Sequence, residues 1–368
     1  MAATFAAGKE GTTGLPRVRL KIMNAPLVDV IIPNRNKVQY LPATLASLLG
    51  QTEARWRAIV IDGESSDGSA ELLRAASEKD ARIHVRSATP TASMGLTMYR
   101  SWNHGLLGVR APYYAVLTSD DLWEPTWLER AVRGLDEHPS AIAAAARAIC
   151  ISASGVVEGP TQACRQFEGS FSLSEGRGYA VLPSNSCVLR SLLFGPVFST
   201  IHSMVFRRRV LEEGVIFAED VGYLADIEYY LHTCMLGDIV YDQDSRALFR
   251  LYPEQASSEA KGRGVSELWG KVVRRNRDLV ARRLGIPTQE MRRVTEEILA
   301  RHQFVMTKPD KNTIRRSKIS AALKMLRACF GSPRLAVDYL KCRASKDRFL
   351  ADSSAKMAKR MAAAHAFS

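Results

Sequence analysis

From Val28 onward the chain alternates short apolar runs with helical stripes. Residues 28–33 (VDVIIP) form a continuous β-branched run, the pattern of a strand buried on both faces. Leu41, Leu45, Leu48 and Leu49 follow at helical spacing, with Pro42 suited to a first helical turn. Residues 57–61 predict a second strand, and Leu72, Leu73 and Ala76 a second helix capped by Asp67 or Ser69. A third strand is expected at 83–85 and a third helix on Met94, Met98, Trp102 and Leu106. A fourth strand is expected at 113–117. This β-α-β-α-β-α-β order predicts an α/β, mostly parallel sheet with right-handed crossovers. Ligands of such sheets bind beyond the carboxyl ends of the strands, which here hold Pro33-Asn34-Arg35, Asp62-Gly63-Glu64 and Thr118-Ser119-Asp120-Asp121.

Patterning weakens at both flanks and in the middle. Residues 1–25 carry no periodicity and read as a loose tail. Residues 150–200, rich in Ser and Gly, read as loops over a binding face. A helix is expected at 227–235 with Asp226 as its N-cap and Gly237 as its stop, then short strands at 239–241 and 247–251. Beyond about Glu259 the texture is helical and arginine-rich.

Composition narrows the function classes. With 368 residues, 46% hydrophobic and 24% charged, the chain can bury a large core without disulfides or structural metals. No run reaches the about 18 uncharged apolar residues of a membrane span; the nearest, 181–206, is broken by Arg190. No secretory signal is apparent, and the six cysteines lack metal-ligand or framework spacing, so reduced thiols in the cytoplasm are expected. The net charge of +13 is uneven: residues 261–368 hold 26 Lys+Arg against 9 Asp+Glu. Such a segment suits an anionic lipid surface or a solvated helix packed on the body. Its apolar positions, Ile314, Ile319, Leu323, Leu326 and Phe330, roughly share one stripe. Sparse aromatics among the charges disfavour nucleic acid.

Asp120-Asp121 at the end of an apolar strand is the strongest local signal. Adjacent carboxylates there repel and lose hydration, which a divalent cation bridging to a phosphate relieves; capping the following turn is the other reading. Asp62, followed by Gly63, either accepts hydrogen bonds from a base or ribose or closes an Asx-turn. Neither G-x-G-x-x-G nor G-x-x-x-x-G-K-[ST] is present, against dinucleotide oxidoreduction and ordinary nucleotide hydrolysis.

Three ordered blocks carry a family resemblance: VDVIIPNRNKVQYLPATLASLLGQTEARWRAIVIDGESSDGS, SWNHGLLGVRAPYYAVLTSDDLWEP and HSMVFRRRVLEEGVIFAEDVGYLADIEYYLHTCMLGDIVYD. Over roughly Pro26 to Ser258 the chain resembles glycosyltransferase family 2 enzymes with the GT-A fold. The resemblance implies a nucleotide-sugar donor (a UDP-sugar foremost), a divalent metal, Mn²⁺ or Mg²⁺, and inversion at the anomeric carbon. It places Pro33, Arg35, Asp62, Asn103, Asp120 and Arg250 on the donor and Asp121 on the metal. Thr118 stands where the family's first aspartate is usual. Asp226 matches the acceptor-activating base, with Glu219 and Asp220 as fallback and His202 as an acceptor-side candidate. The implied units are 26–125 for the donor, 126–260 for the acceptor and a basic helical region at 261–368.

The expected activity is metal-dependent inverting transfer to a glycan or lipid-linked hydroxyl in cell-surface polysaccharide or glycolipid synthesis, at the inner face of a membrane. Gln243-x-x-Arg246 without a following tryptophan disfavours a processive synthase. The alternatives are a nucleotidyltransferase, which needs a glycine-rich phosphate loop that P-N-R-N-K-V-Q-Y does not supply, or a basic nucleic-acid-binding protein.

Overall fold

The computed structural model describes residues 25–87, 98–171, 177–194, 200–253 and 265–307, with the single positions 173, 255, 337 and 340. The N-terminal half takes the predicted course. β1 (Val28–Asn34), β2 (Trp56–Asp62), β3 (Ile83–Ser87) and β4 (Tyr113–Val116) run parallel in the order β3-β2-β1-β4. α1 (Leu41–Leu49), α2 (Ser69–Lys79) and α3 (Met98–Leu106) link them, with Pro42 in the first turn of α1. Asp67 reaches the start of α2 from outside: its carboxylate accepts the N–H groups of Ser69 (3.0 Å) and Val38 (2.9 Å), joining α2 to the loop after β1. The N-cap itself is Gly68, left-handed at φ 95°. Met94, expected in the third helix, lies outside the described residues.

The second half is mixed. β5 (Leu122–Trp123), α4 (Trp127–Glu137), β6 (Ala141–Ile151) and β7 (Val157–Pro160) come first. Next are α5 (Gln162–Phe171), β8 (Tyr179–Leu182), α6 (Ser184–Phe194), β9 (Met204–Arg207) and α7 (Arg209–Glu212). The series ends with α8 (Ala225–Leu236), β10 (Asp238–Arg250), α9 (Val265–Leu284) and α10 (Thr288–Thr307). The sheet continues β4-β9-β6-β10-β5, with β9 antiparallel to both neighbours and β6 parallel to β10. The stretch expected to be loops thus holds two helices and two short strands. The two strands expected at 239–241 and 247–251 are one, β10, irregular between Asp242 and Arg246. At that irregularity Asp242 takes a two-pronged contact from Arg130 of α4, both bonds 2.7 Å.

β6 shows tertiary context overriding propensity. Its AIAAAARAICI sequence would favour a helix, yet both its faces are buried. Successive residues feed opposite cores: Ala143 and Ala145 join Ile31, Tyr114 and Phe206, while Ala144 and Ala146 join Val30 and Val205. α3 packs closely on β1 at Gly105, where a Cβ would lie 2.4 Å from Ile31 Cγ2.

α9 and α10 belong to the same body. Trp269, Val273, Val280, Met291 and Leu299 lie in one core cluster with Tyr229 and Tyr230 of α8, so no break between cores falls at 260. The four described cysteines are free thiols. Residues 1–24, the stripe at 314–330, Cys329 and Cys342 lie outside the described residues. No helix among the described residues is long and apolar enough to cross a membrane.

Candidate active site

The first part of the site grows from the register of β1 on β2, whose last pair is Asn34 opposite Asp62. Asn34 Nδ2 donates to Asp62 Oδ1 at 2.8 Å, Ser65 Oγ donates to the same oxygen at 2.7 Å, and the Ser65 N–H donates to Oδ2 at 3.1 Å. Gly63 permits the contact, because an added Cβ would stand 3.3 Å from the Asn34 carbonyl oxygen and 3.4 Å from Arg35 Cβ. The two loops are laced further at Asn36, which has a left-handed φ of 51°; its N–H donates to Ser65 Oγ (2.9 Å) and its Oδ1 accepts the Ser66 N–H (2.8 Å). A non-glycine residue held so is costly unless its surroundings fix it, as here. Pro33 sits in β1 itself, and Arg35 is exposed at the rim.

Beyond β4 comes the acidic turn, where the two aspartates have different fates. Asp121 is buried and fully engaged: Oδ1 accepts the Arg250 N–H at 2.8 Å, and Oδ2 accepts the Thr118 hydroxyl and lies 3.0 Å from His202 Nδ1. His202 is 1% exposed, stacked near Phe249, with its carbonyl accepting the Trp123 indole N–H at 2.6 Å. Both residues therefore build the floor of the turn. Asp121, expected on the metal, and His202, expected on the acceptor side, thus stand together beneath the turn, with His202 Nε2 buried and without a hydrogen-bond partner among the described residues.

Asp120, with 13% of its side chain exposed, turns outward. Its Oδ2 accepts the Tyr252 hydroxyl and lies 3.8 Å from Lys37 Nζ, which itself donates to the Tyr252 oxygen at 2.5 Å. Burial, and then the neighbouring Asp121 charge, hold the Asp120 carboxyl above its ordinary range. A cation there would relieve that cost. Among the described residues no three His, Cys, Asp or Glu side chains converge as a cage. At this turn Asp120 is the carboxylate that reaches solvent, and its partners are the Tyr252 hydroxyl and Lys37.

Two further site residues make their contacts within the chain. Arg250 was expected on the diphosphate, but it is buried and spent on the chain: Nε donates to the Asp120 carbonyl (2.9 Å) and Nη1 to those of Ser152 (3.2 Å) and Ala153 (2.8 Å). Asn103 was expected near the donor, but its amide brackets Phe217, donating to the Phe217 carbonyl at 2.8 Å and accepting the Phe217 N–H at 2.9 Å. Asn103 Nδ2 also meets Glu219 Oε1 at 3.3 Å, and Arg100 lies 3.4 Å from Glu219 Oε2. It shapes the acceptor-side loop instead.

That loop leads to Asp226. α8 begins at Ala225 with Leu224 as its N-cap, so Asp226 is the second helical residue and not the cap. Its Oδ1 accepts the Ile227 N–H at 2.8 Å. A helix N-terminus alone would lower its pKa, but burial dominates and pushes the carboxyl up to about 7. Asp220, in contrast, is exposed and held below its ordinary range by hydrogen bonds from Lys271 and Arg275. Sequence reading missed Lys37, Tyr252 and Ser65 as site residues, since Lys37 and Tyr252 meet across 215 residues and Ser65 gains its role by joining Asp62 to Asn34 and Asn36.

A parallel α/β half ending in a polar corner and an acidic turn, followed by a mixed half carrying Asp226, is the arrangement of a GT-A fold. The comparisons agree. Residues 29–214 match the model of glycosyl transferase family 2, and the chain belongs to that family. An uncharacterized glycosyltransferase of Haemophilus influenzae is 26% identical over 266 residues, 72% of this chain and 77% of that protein. A putative teichuronic acid biosynthesis glycosyltransferase, TuaG, of Bacillus subtilis is 32% identical over 116 residues, 32% of this chain and 44% of that protein. The crystal structure of S. aureus TarS 1–349 superposes with TM-score 0.53 at 15% identity, covering 88% of this chain and 89% of that one, a likeness of fold. The protein is thus a glycosyltransferase using a nucleotide-sugar donor.

Proposed function

We propose that the protein is a metal-dependent inverting glycosyltransferase that moves a hexose from a UDP-sugar to a hydroxyl acceptor. The observation that carries this reading is Asp226, a half-buried carboxyl at the start of α8 whose pKa is pushed up to about 7. A base of that strength is matched to neutral pH, whereas an ordinary aspartate would be a thousandfold weaker. In the proposed mechanism the uracil and ribose lie in the corner formed by Asn34, Asp62 and Ser65, with Arg35 at the rim. Asp120 would hold a divalent ion, which supplies positive charge to the leaving diphosphate. Asp226 takes the proton of the acceptor hydroxyl while that oxygen forms the new bond to the anomeric carbon on the face opposite the departing UDP, inverting its configuration.

S. aureus TarS has been crystallised with UDP and with UDP-GlcNAc, and a relative in Escherichia coli, 32% identical over 107 residues, carries the name of a UDP-Glc transferase acting on a diphosphoundecaprenol acceptor. These names favour a UDP-sugar and a lipid-linked acceptor here. A membrane-proximal role gains support from residues 308–368, which carry 15 Lys+Arg against 4 Asp+Glu. Attachment to an anionic inner leaflet would use that excess. The test is UDP release across UDP-glucose, UDP-galactose and UDP-GlcNAc, with Mn²⁺ and with excess chelator. Release from one donor that stops in chelator is expected, and undiminished release in chelator overturns the metal.

A further inference from the structure

We propose that Arg275 of α9 is a positioning residue for the base, so that the C-terminal helical pair forms part of the catalytic unit; this rests on reading Asp226 as the base. Asp226 lies between Asp220 and Glu228 in the chain, and α9 grips both of these carboxylates. On one side is Glu228, two residues beyond Asp226 and 4% exposed. Arg275 Nε donates to Glu228 Oε1 at 2.9 Å, its Nη2 pairs with Oε2, and Asn276 Nδ2 donates to Oε1 at 2.5 Å. On the other side is Asp220, where Arg275 Nη1 donates to both carboxylate oxygens at 3.1 and 3.0 Å and Lys271 Nζ lies 2.7 Å from Oδ2. One guanidinium thus ties the loop before α8 to the first turn of α8.

The chemistry explains why an arginine fits. Its planar fork presents one edge to Glu228 and the remaining nitrogen to Asp220, which a lysine point charge cannot do together. His232 on the third turn of α8 fixes the neighbouring amide, with Nε2 2.7 Å from Asn276 Oδ1. Glu228 is a buried carboxylate whose partners come from α9, so losing the guanidinium leaves its charge uncompensated in the first turn of the helix that carries the base. Asp226, Glu228 and Arg275 all lie beyond residue 214, where the family match ends. The match therefore covers the donor half and the first part of the acceptor half, while the positioning of the base depends on helices outside it.

The experiment uses the full chain and UDP release from whichever UDP-sugar gives the highest rate, with UDP affinity measured by calorimetry. Arg275→Ala should lower kcat at least tenfold while UDP affinity stays within twofold, and Arg275→Lys should retain more turnover than the alanine variant. Glu228→Gln keeps the volume and the acceptor for Asn276, and it should show its own loss of kcat without loss of UDP affinity. Wild-type kcat in Arg275→Ala or Glu228→Gln, alongside an inactive Asp226→Asn control, would overturn the positioning role. Equal loss of UDP affinity and turnover would overturn it too, as the sign of general collapse. Full turnover in Asp226→Asn would instead remove the base reading on which it stands.

Discussion

Replacing Asp226 by Asn separates the chemistry of the carboxyl from its shape. Burial raises this group from its ordinary 3.8 to about 7. For an acid so shifted, the protonated form is favoured by the fold. The native state is penalised progressively as pH rises through 3.8 toward 7, and the full penalty holds above that. At 1.4 kcal/mol per tenfold change in proton affinity, the ceiling is about 4 kcal/mol; the side chain keeps some exposure, so the measured value should be lower. Asn carries no charge and escapes the penalty. Denaturant unfolding of both proteins at pH 5 and pH 8 should therefore show the variant gaining on the wild type at the higher pH. Turnover at pH 8 should fall on the order of 10²–10⁴-fold, the usual worth of a positioned base, and by less at pH 5, where the wild-type carboxyl is already largely protonated. Wild-type kcat should itself rise with pH and level off above about 7, because the base works deprotonated. A stability difference independent of pH, or a wild-type rate flat from pH 5 to 8, would refute the reasoning.

The two aspartates of the acidic turn should differ in kind. Asp120→Asn should abolish the Mn²⁺-dependent part of UDP binding with little change in melting temperature. Asp121→Asn should cost about 1–3 kcal/mol of stability by unsettling Thr118, His202 and the Arg250 N–H. Gly105→Ala should destabilise by about 1–3 kcal/mol, read as a drop of several degrees in melting temperature, because the added methyl meets Ile31 at 2.4 Å. In vesicle sedimentation, the full chain should bind anionic but not neutral vesicles in a salt-reversible way, and a chain ending at residue 307 should not. Binding by neither contradicts membrane attachment. A chain ending at 258 should instead aggregate, since it strips Trp269, Val273 and Met291 from the core.

How far the sequence could be read depended on whether the pattern was local. β1 to β4 and their helices were legible because apolar period and turn residues agree there within a few positions. β6 was not, because an alanine run carries helix propensity and only burial between two layers makes it a strand. At the site, the identity of the acidic turn was legible and its division of labour was not. Which of Asp120 and Asp121 faces outward is decided by His202 and Arg250, distant in sequence. The raised pKa of Asp226 was not legible either, because the cap lies at Leu224 and desolvation outweighs the helix dipole. The Glu228–Arg275 grip spans 47 residues and leaves no local trace.

Calorimetric titration of UDP-sugars into the full chain tests donor binding at the ends of β1, β2 and β4 most directly. In the presence of Mn²⁺ one UDP-sugar should bind saturably at one site per chain. Asp62→Ala should weaken that binding at least tenfold, because it removes the acceptor that Asn34 and Ser65 hold in place. Absence of binding by every UDP-sugar tried, or unchanged affinity in Asp62→Ala, would contradict the assignment of the donor site.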